Sequence, residues 1–182
     1  MNVAQKLARD VYSQYAGSLP VDPIMVARDM GCEVEPIDPF TSEFDREPNC
    51  SGMAYLDRGV KYIKYSASES PLRQRFTVAH ELGHHLLGHV KKGMKFRDTP
   101  NEFRASVSSR EEREANVFAA ELLMPSELVM SAYLNSSIRD VEKLASAFGV
   151  SKVAMRIKLQ ELDLITSISI DRSGVRYPYN AG

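Results

Sequence analysis

Apolar residues recur at helical spacing across residues 3–15 (VAQKLARDVYSQY), which predicts a helix with one face turned inward. Pro20-Val21-Asp22-Pro23 opens a second, shorter helix that runs to Met30 and is stopped by Gly31. The pattern then changes to the alternation expected of strands. Residues 32–37 predict one strand, residues 38–49 a Pro-, Asp- and Glu-rich surface loop, and residues 51–56 and 60–65 a hairpin around Asp57-Arg58-Gly59. Tyr55, Val60, Tyr62, Ile63 and Tyr65 suit a pleated surface better than a helix. Helical spacing returns behind the Ser68 to Pro71 cap and predicts a helix from about Leu72 to His89. Residues 90–109 carry Lys91, Lys92, Lys95, Arg97 and Arg104 and read as a solvated, mostly basic connection, with a substrate-contacting flap as the lesser reading. Four further helices are predicted at residues 110–123, 125–134, 138–148 and 151–162. The tail, residues 166–182, alternates weakly through Ile168 and Ile170, as a strand or turn would.

This order of elements predicts an α+β protein: a domain over residues 1–135 with a small twisted sheet, then a C-terminal helical segment and tail over residues 136–182. Composition agrees with a globular chain. Of 182 residues, 43% are hydrophobic and 26% charged, and 23 Lys+Arg against 24 Asp+Glu leave a net charge of -1. A chain of this length buries roughly two-thirds of its unfolded surface, so its core needs no disulfides. The two cysteines, Cys32 and Cys50, match no metal-binding spacing, and no stretch before residue 30 has the flank and apolar run of a signal peptide. The expected compartment is therefore reducing, the cytoplasm. The most apolar stretch, Val117 to Met124, contains Glu121 and stops at Pro125, far short of the roughly 20 residues that span a bilayer, so no membrane partner is expected. A near-neutral balance also argues against a chain-wide nucleic-acid surface.

Chemistry enters with the histidines. All 4 fall between His80 and His89, and the first five residues of that run spell HExxH. Residues four apart on a helix are separated by about 40° around the axis, so His80 and His84 present two imidazoles from one face, as a tetrahedral Zn²⁺ requires. Glu81 lies about 60° from His84 on the same wheel, near enough to reach water on the metal without ligating it. Zinc would lower the pKa of that water toward about 7 and polarise a carbonyl, while Glu81 takes the proton and passes it to the leaving amine.

A catalytic zinc needs a third protein ligand. The metzincin position is Val90, and His89 falls one residue short, so that geometry is excluded. A glutamate from a later helix is the other solution, and residues 110–123 offer Glu111, Glu112, Glu114 and Glu121. Ala115, Phe118, Ala119 and Leu122 define the buried face. Glu114 and Glu121 project about 100° or more from its centre, whereas Glu111 and Glu112 both flank it. Periodicity leaves those two open. Asn116, one turn after Glu112, can hydrogen-bond a ligand histidine, while Ala115, one turn after Glu111, can only pack, which favours Glu112. Ala115 and Ala119 would also let the two helices approach closely.

The segments RQRFTVAHELGHHLLGH and EEREANVFAAELLMP together resemble the ImmA/IrrE family of metallopeptidases. The family pattern, roughly E-x-x-A-N/D-x-F-A-x-x-L-L-M-P, laid on this chain starts at Glu112 and ends at Pro125, and so implies the same glutamate. The likeness covers about residues 20–125, including VDPIMVARDMGCEV and KYIKYSAS. Family members usually have Asn near the end of the strand before the helix, where this chain has Tyr65-Ser66. The resemblance implies a zincin-like fold with the sheet packed on the HExxH helix. It also implies a zinc-dependent peptidase acting on a protein substrate, a DNA-binding repressor whose loss switches on genes.

Sequence reasoning thus expects an endopeptidase with His80, His84 and Glu112 as zinc ligands, Glu81 as base and Asn116 supporting a ligand. The alternative is a DNA-binding or adaptor regulator with structural or vestigial zinc, but a structural site needs a fourth protein ligand rather than a base. His85 and His89, four apart, read as packing or surface hydrogen-bonding residues rather than a second metal pair. Tyr62, Tyr65, Arg73 and Arg75 are nearby donors to which no oxyanion role is assigned. Residues 141–164 form a helix, glycine turn and helix with Lys152, Arg156 and Lys158 on the second helix. Asp140, Glu142, Glu161 and Asp163 offset those cations, so direct DNA binding is not expected, and the pair reads as an appendage that docks on the peptidase or recognises its substrate. Finally, the strand at residues 60–65 is expected at a sheet edge beside the site, free to pair with an extended peptide.

Overall fold

The computed structural model describes residues 2–15, 17, 19–37, 50–91, 95–98, 110–135, 140–165, 168–170 and 176–178. The loop expected at residues 38–49 lies outside them. Two compact units are formed, Met1–Leu123 and Met124–Gly182.

In the first unit the helix starts are set by local chemistry. Asn2 and Gln5 form a reciprocal capping box on α1 (Val3–Ser13). Asp22 caps α2 (Pro23–Asp29) and Ser70 caps α3 (Pro71–Leu86), each with proline in the first turn, where the missing N–H costs nothing. Between α2 and α3 lie β1 (Cys32–Ile37), β2 (Gly52–Asp57) and β3 (Val60–Ser66). Arg58 and Gly59 join β2 to β3 with φ of 48° and 88°, the left-handed pair that matches strand twist in a two-residue hairpin.

Two expectations fail here. The connection at residues 90–109 contains β4 (Lys95–Asp98), which pairs antiparallel with Gly52 to Tyr55 of β2. In addition, β3 is not an edge. The sheet order is β1-β3-β2-β4, with β3 parallel to β1 on one side and antiparallel to β2 on the other. The hairpin was legible from local sequence, but the parallel partner arrives across a long connection and completes β3's second ladder. Among the described residues the edges are β1 and β4.

Val34, Ile63 and Ala54 lie in register across three strands and are buried, making the sheet's inner row. Against it packs α3, which also packs on α4 (Arg110–Leu123). At the α3–α4 contact a Cβ on Gly83 would lie 3.1 Å from Phe118 Cδ1 and 3.3 Å from the Ala115 carbonyl, so the backbones nearly touch, as Ala115 and Ala119 lead one to expect. Phe118, Leu122 and Leu82 are fully buried around this seam, each contributing about 1.5–3 kcal/mol by leaving water. Glu121 departs from its helical-wheel placement: it is 1% exposed, and Arg9 Nε of α1 donates to it at 2.8 Å.

The second unit contains α5 (Ser126–Asn135), α6 (Val141–Phe148) and α7 (Lys152–Glu161), then β5 (Ile168–Ile170) antiparallel to β6 (Arg176–Pro178). α5 thus groups with the C-terminal helices. Gly149, at φ 63°, ends α6 in a left-handed cap, and Ser151 caps α7. Among the described residues no single helix is long and apolar enough to cross a membrane.

Candidate active site

Both HExxH histidines sit on the α4 side of α3, where they are buried. Their Nε2 atoms are 3.1 Å apart, and the two Glu112 oxygens lie 3.2 Å from His80 Nε2 and 3.3 Å from His84 Nε2. With zinc–ligand bonds of about 2.0–2.2 Å, the edges of a tetrahedral coordination shell are roughly 3.3 Å long, so these three groups have the spacing of one metal's ligands. Among the described residues, His80, His84 and Glu112 form a group able to hold a metal ion, and Glu111 is outside it. Glu112 is 27% exposed against 4% and 1% for the histidines, so the cluster opens to solvent on the glutamate side.

The donor chemistry fits a cation. Asn116 Oδ1 lies 3.0 Å from His80 Nδ1, where an amide oxygen accepts the ring N–H, which leaves the His80 Nε2 lone pair aimed at the cluster. Burial pushes the Glu112 carboxyl up, but hydrogen bonds to His80 and His84 outweigh it and hold the group well below the usual carboxylate range. Burial pushes the His84 imidazole down, against the pull of Glu112. Glu112 is therefore ionised and His84 disfavours a proton, as metal ligands require.

Glu81 is fully buried between α3 and the sheet, both carboxylate oxygens shielded from solvent. Its neighbour there is Gly52: a Cβ at that position would lie 3.1 Å from Glu81 Oε1 and 2.3 Å from Thr77 Cγ2. The first residue of β2 must be glycine for α3 to lie this close. Sequence reasoning missed this role, although a Gly within a strand pattern is a signal of close backbone approach.

The remaining candidates are dispersed. His85 turns to the sheet, its Nε2–H donating to the Tyr62 carbonyl at 2.9 Å, and burial pushes its pKa down. His89 does not continue the helix, because α3 ends at Leu86 and Gly88 adopts φ 76°. Its ring folds back onto His84, with Nδ1 to Nδ1 at 3.1 Å, and its Nε2 is 3.2 Å from Glu114 Oε2. Glu114 in turn accepts from Arg110 at 2.7 Å, and Arg110 first, then His89, hold its carboxyl below its ordinary value against burial. Tyr62 stacks on Tyr55 at 5.0 Å. Arg75 donates to the Val21 carbonyl at 2.6 Å, while Arg73 lies over Phe76 and 3.4 Å from Ser51 Oγ.

No curated protein matches the chain in sequence. Among solved structures it is similar to a Mycobacterium tuberculosis transcriptional regulator, with a TM-score of 0.56 and 17% identity over 97% of this chain. The chain spans about half of that protein, 54% of its length, and at this identity the likeness concerns the fold. The Peptidase_M78 family, described as the IrrE N-terminal-like domain, matches residues 33–160, which include the HExxH helix, Glu112 and the sheet. By that match the chain belongs to the Peptidase_M78 family of peptidases.

Proposed function

We propose that this chain is a zinc-dependent endopeptidase of zincin-like fold that hydrolyses a protein substrate, a DNA-binding transcriptional repressor. The observation that carries this reading is the convergence of His80 Nε2, His84 Nε2 and the Glu112 carboxylate at 3.1 to 3.3 Å, with a buried Glu81 next to His80 on α3. His80, His84 and Glu112 would hold Zn²⁺, which when bound supplies a Lewis acid that acidifies water and polarises a peptide carbonyl.

The chain's own groups do the rest. Asn116 fixes the His80 ring so that Nε2 faces the cluster. Glu81 takes a proton from the attacking water and returns it to the amine that leaves when the peptide C–N bond breaks, a contribution of about 10²–10⁴-fold. Gly52 sets the depth at which Glu81 lies.

A peptide that adds to the sheet needs an edge. β1 carries Pro36, which lacks a ladder donor, and exposed Glu33 and Glu35. β4 adjoins β2, whose Gly52 touches the base, so the outer side of Lys95–Asp98 is the edge we assign to substrate.

A repressor substrate is supported by the family and by the regulatory character of the structural neighbour. The regulator-only alternative draws on the α6–α7 pair, but of the three cations of α7 Lys158 is buried and Lys152 pairs with Glu142 at 3.1 Å. Cys32 and Cys50 are buried thiols rather than a disulfide, which supports a cytoplasmic placement. The test is incubation of the purified chain with the repressor encoded beside its gene. Cleavage that stops with chelator and returns with zinc is expected; chelator-insensitive cleavage, or none, would contradict the proposal.

A further inference from the structure

The end of α3 holds a device that the mechanism above does not use. Leu87 is the C-cap and Gly88 takes the left-handed conformation. The His89 N–H bonds to the His84 carbonyl at 3.0 Å, and the Gly88 N–H to the His85 carbonyl at 3.2 Å. These two bonds are the paired closure by which a C-terminal glycine reverses the chain over the last helical turn. The reversal carries His89, only 6% exposed, back onto His84, the second histidine of the cluster.

Hydrogen placement in this chain of rings follows from its two ends. Glu114 is a carboxylate held by Arg110, and it can only accept, so His89 Nε2, 3.2 Å away, carries the proton and donates. A His84 that ligates through Nε2 keeps its ring proton on Nδ1, so the His89 nitrogen that faces it is the acceptor. The two Nδ1 atoms are 3.1 Å apart, and two ring nitrogens at that distance need one donor and one acceptor. The His84 Nε2 lone pair then points at His80 and Glu112. Asn116 imposes the same tautomer on His80 from the other side.

We propose that His89, backed by Glu114, is a positioning residue that locks the tautomer and ring orientation of His84 for metal binding. The inference rests on the reading of His84 as a zinc ligand. Its sequence signal is the Gly88-His89 pair just past the helix, in which glycine supplies the reversal and histidine the acceptor. His89 contacts His84 and Glu114 and acts through His84.

The test uses the full chain loaded with zinc. Long-range ¹H–¹⁵N spectra of the wild-type protein should show His84 protonated at Nδ1 and His89 at Nε2. His84 protonated at Nε2, or His89 at Nδ1, would overturn the inference without any mutation. Zinc affinity by competition with a chromophoric chelator should fall about 10–100-fold in His89→Leu. It should recover in His89→Asn, whose amide oxygen takes the place of the Nδ1 acceptor. If His84→Ala loses zinc but His89→Leu binds as wild type does, the positioning role is wrong while the metal site stands. If the wild-type chain takes up no zinc, the proposed function fails and this inference with it.

Discussion

Gly52→Ala loads the contact between α3 and the sheet at Thr77 and Glu81. The added Cβ would sit 2.3 Å from Thr77 Cγ2, 3.1 Å from Glu81 Oε1 and 3.2 Å from the Lys64 carbonyl. Carbon atoms in contact need about 3.5–4.0 Å, so the clash with Thr77 exceeds roughly 1 Å. Thr77 is fully buried, and as a β-branched helical residue it has few rotamers to escape into. Either α3 lifts or β2 slides. Overpacking of this kind costs about 1–3 kcal/mol, which in a chain of this size is a melting shift of roughly 2–12 °C. Because α3 carries His80, Glu81 and His84, a displacement near 1 Å should also cost on the order of 10²-fold in cleavage. The assay pairs a thermal melt with repressor cleavage for Gly52→Ala, Thr77→Ser and the double variant. Thr77→Ser deletes the clashing methyl, so the double variant should regain most of the stability but less of the activity, since the contact with Glu81 remains. A Gly52→Ala protein that melts and cleaves like wild type would refute the packing argument, and failure of Thr77→Ser to restore stability would show that the methyl is not the obstacle.

Glu81→Gln should keep the melting temperature and zinc content while cleavage falls about 10²–10⁴-fold; a wild-type rate would remove Glu81 from the mechanism. Asn116→Ala takes away the acceptor 3.0 Å from His80 Nδ1 and should weaken zinc binding about 10–100-fold in chelator competition; unchanged affinity would contradict its orienting role. Arg9→Met removes the guanidinium 2.8 Å from a Glu121 that is 1% exposed, and denaturant titration should show a loss of about 1–3 kcal/mol.

What the sequence made legible was local. The helical spacing of HExxH, the hairpin glycine and the Ser70 cap of α3 each act within about one or two turns of chain and appear where the pattern puts them. What it hid depends on partners far away in sequence. Alternation marks β3 as a strand but cannot say whether one side or both are paired, and the parallel ladder with β1 decides that. β4 holds one apolar residue among Lys95, Arg97 and Asp98, and is a strand because β2 offers it a ladder some 40 positions away. A helical wheel places Glu121 off the inner face of α4, but Arg9, 112 positions earlier, covers that side and makes it interior. His89 was lost differently: reading the helix through to residue 89 ignored Gly88, a stop signal in plain view.

If His80, His84 and Glu112 form one metal site, zinc bound per chain in wild type, Glu112→Ala and Glu111→Ala measures it directly. The structure puts Glu112 oxygens within 3.3 Å of both histidines and leaves Glu111 outside the group. One zinc per wild-type chain, kept in Glu111→Ala and lost to a mild chelator in Glu112→Ala, is the predicted result. Zinc retained by Glu112→Ala and lost by Glu111→Ala would contradict the site as described here.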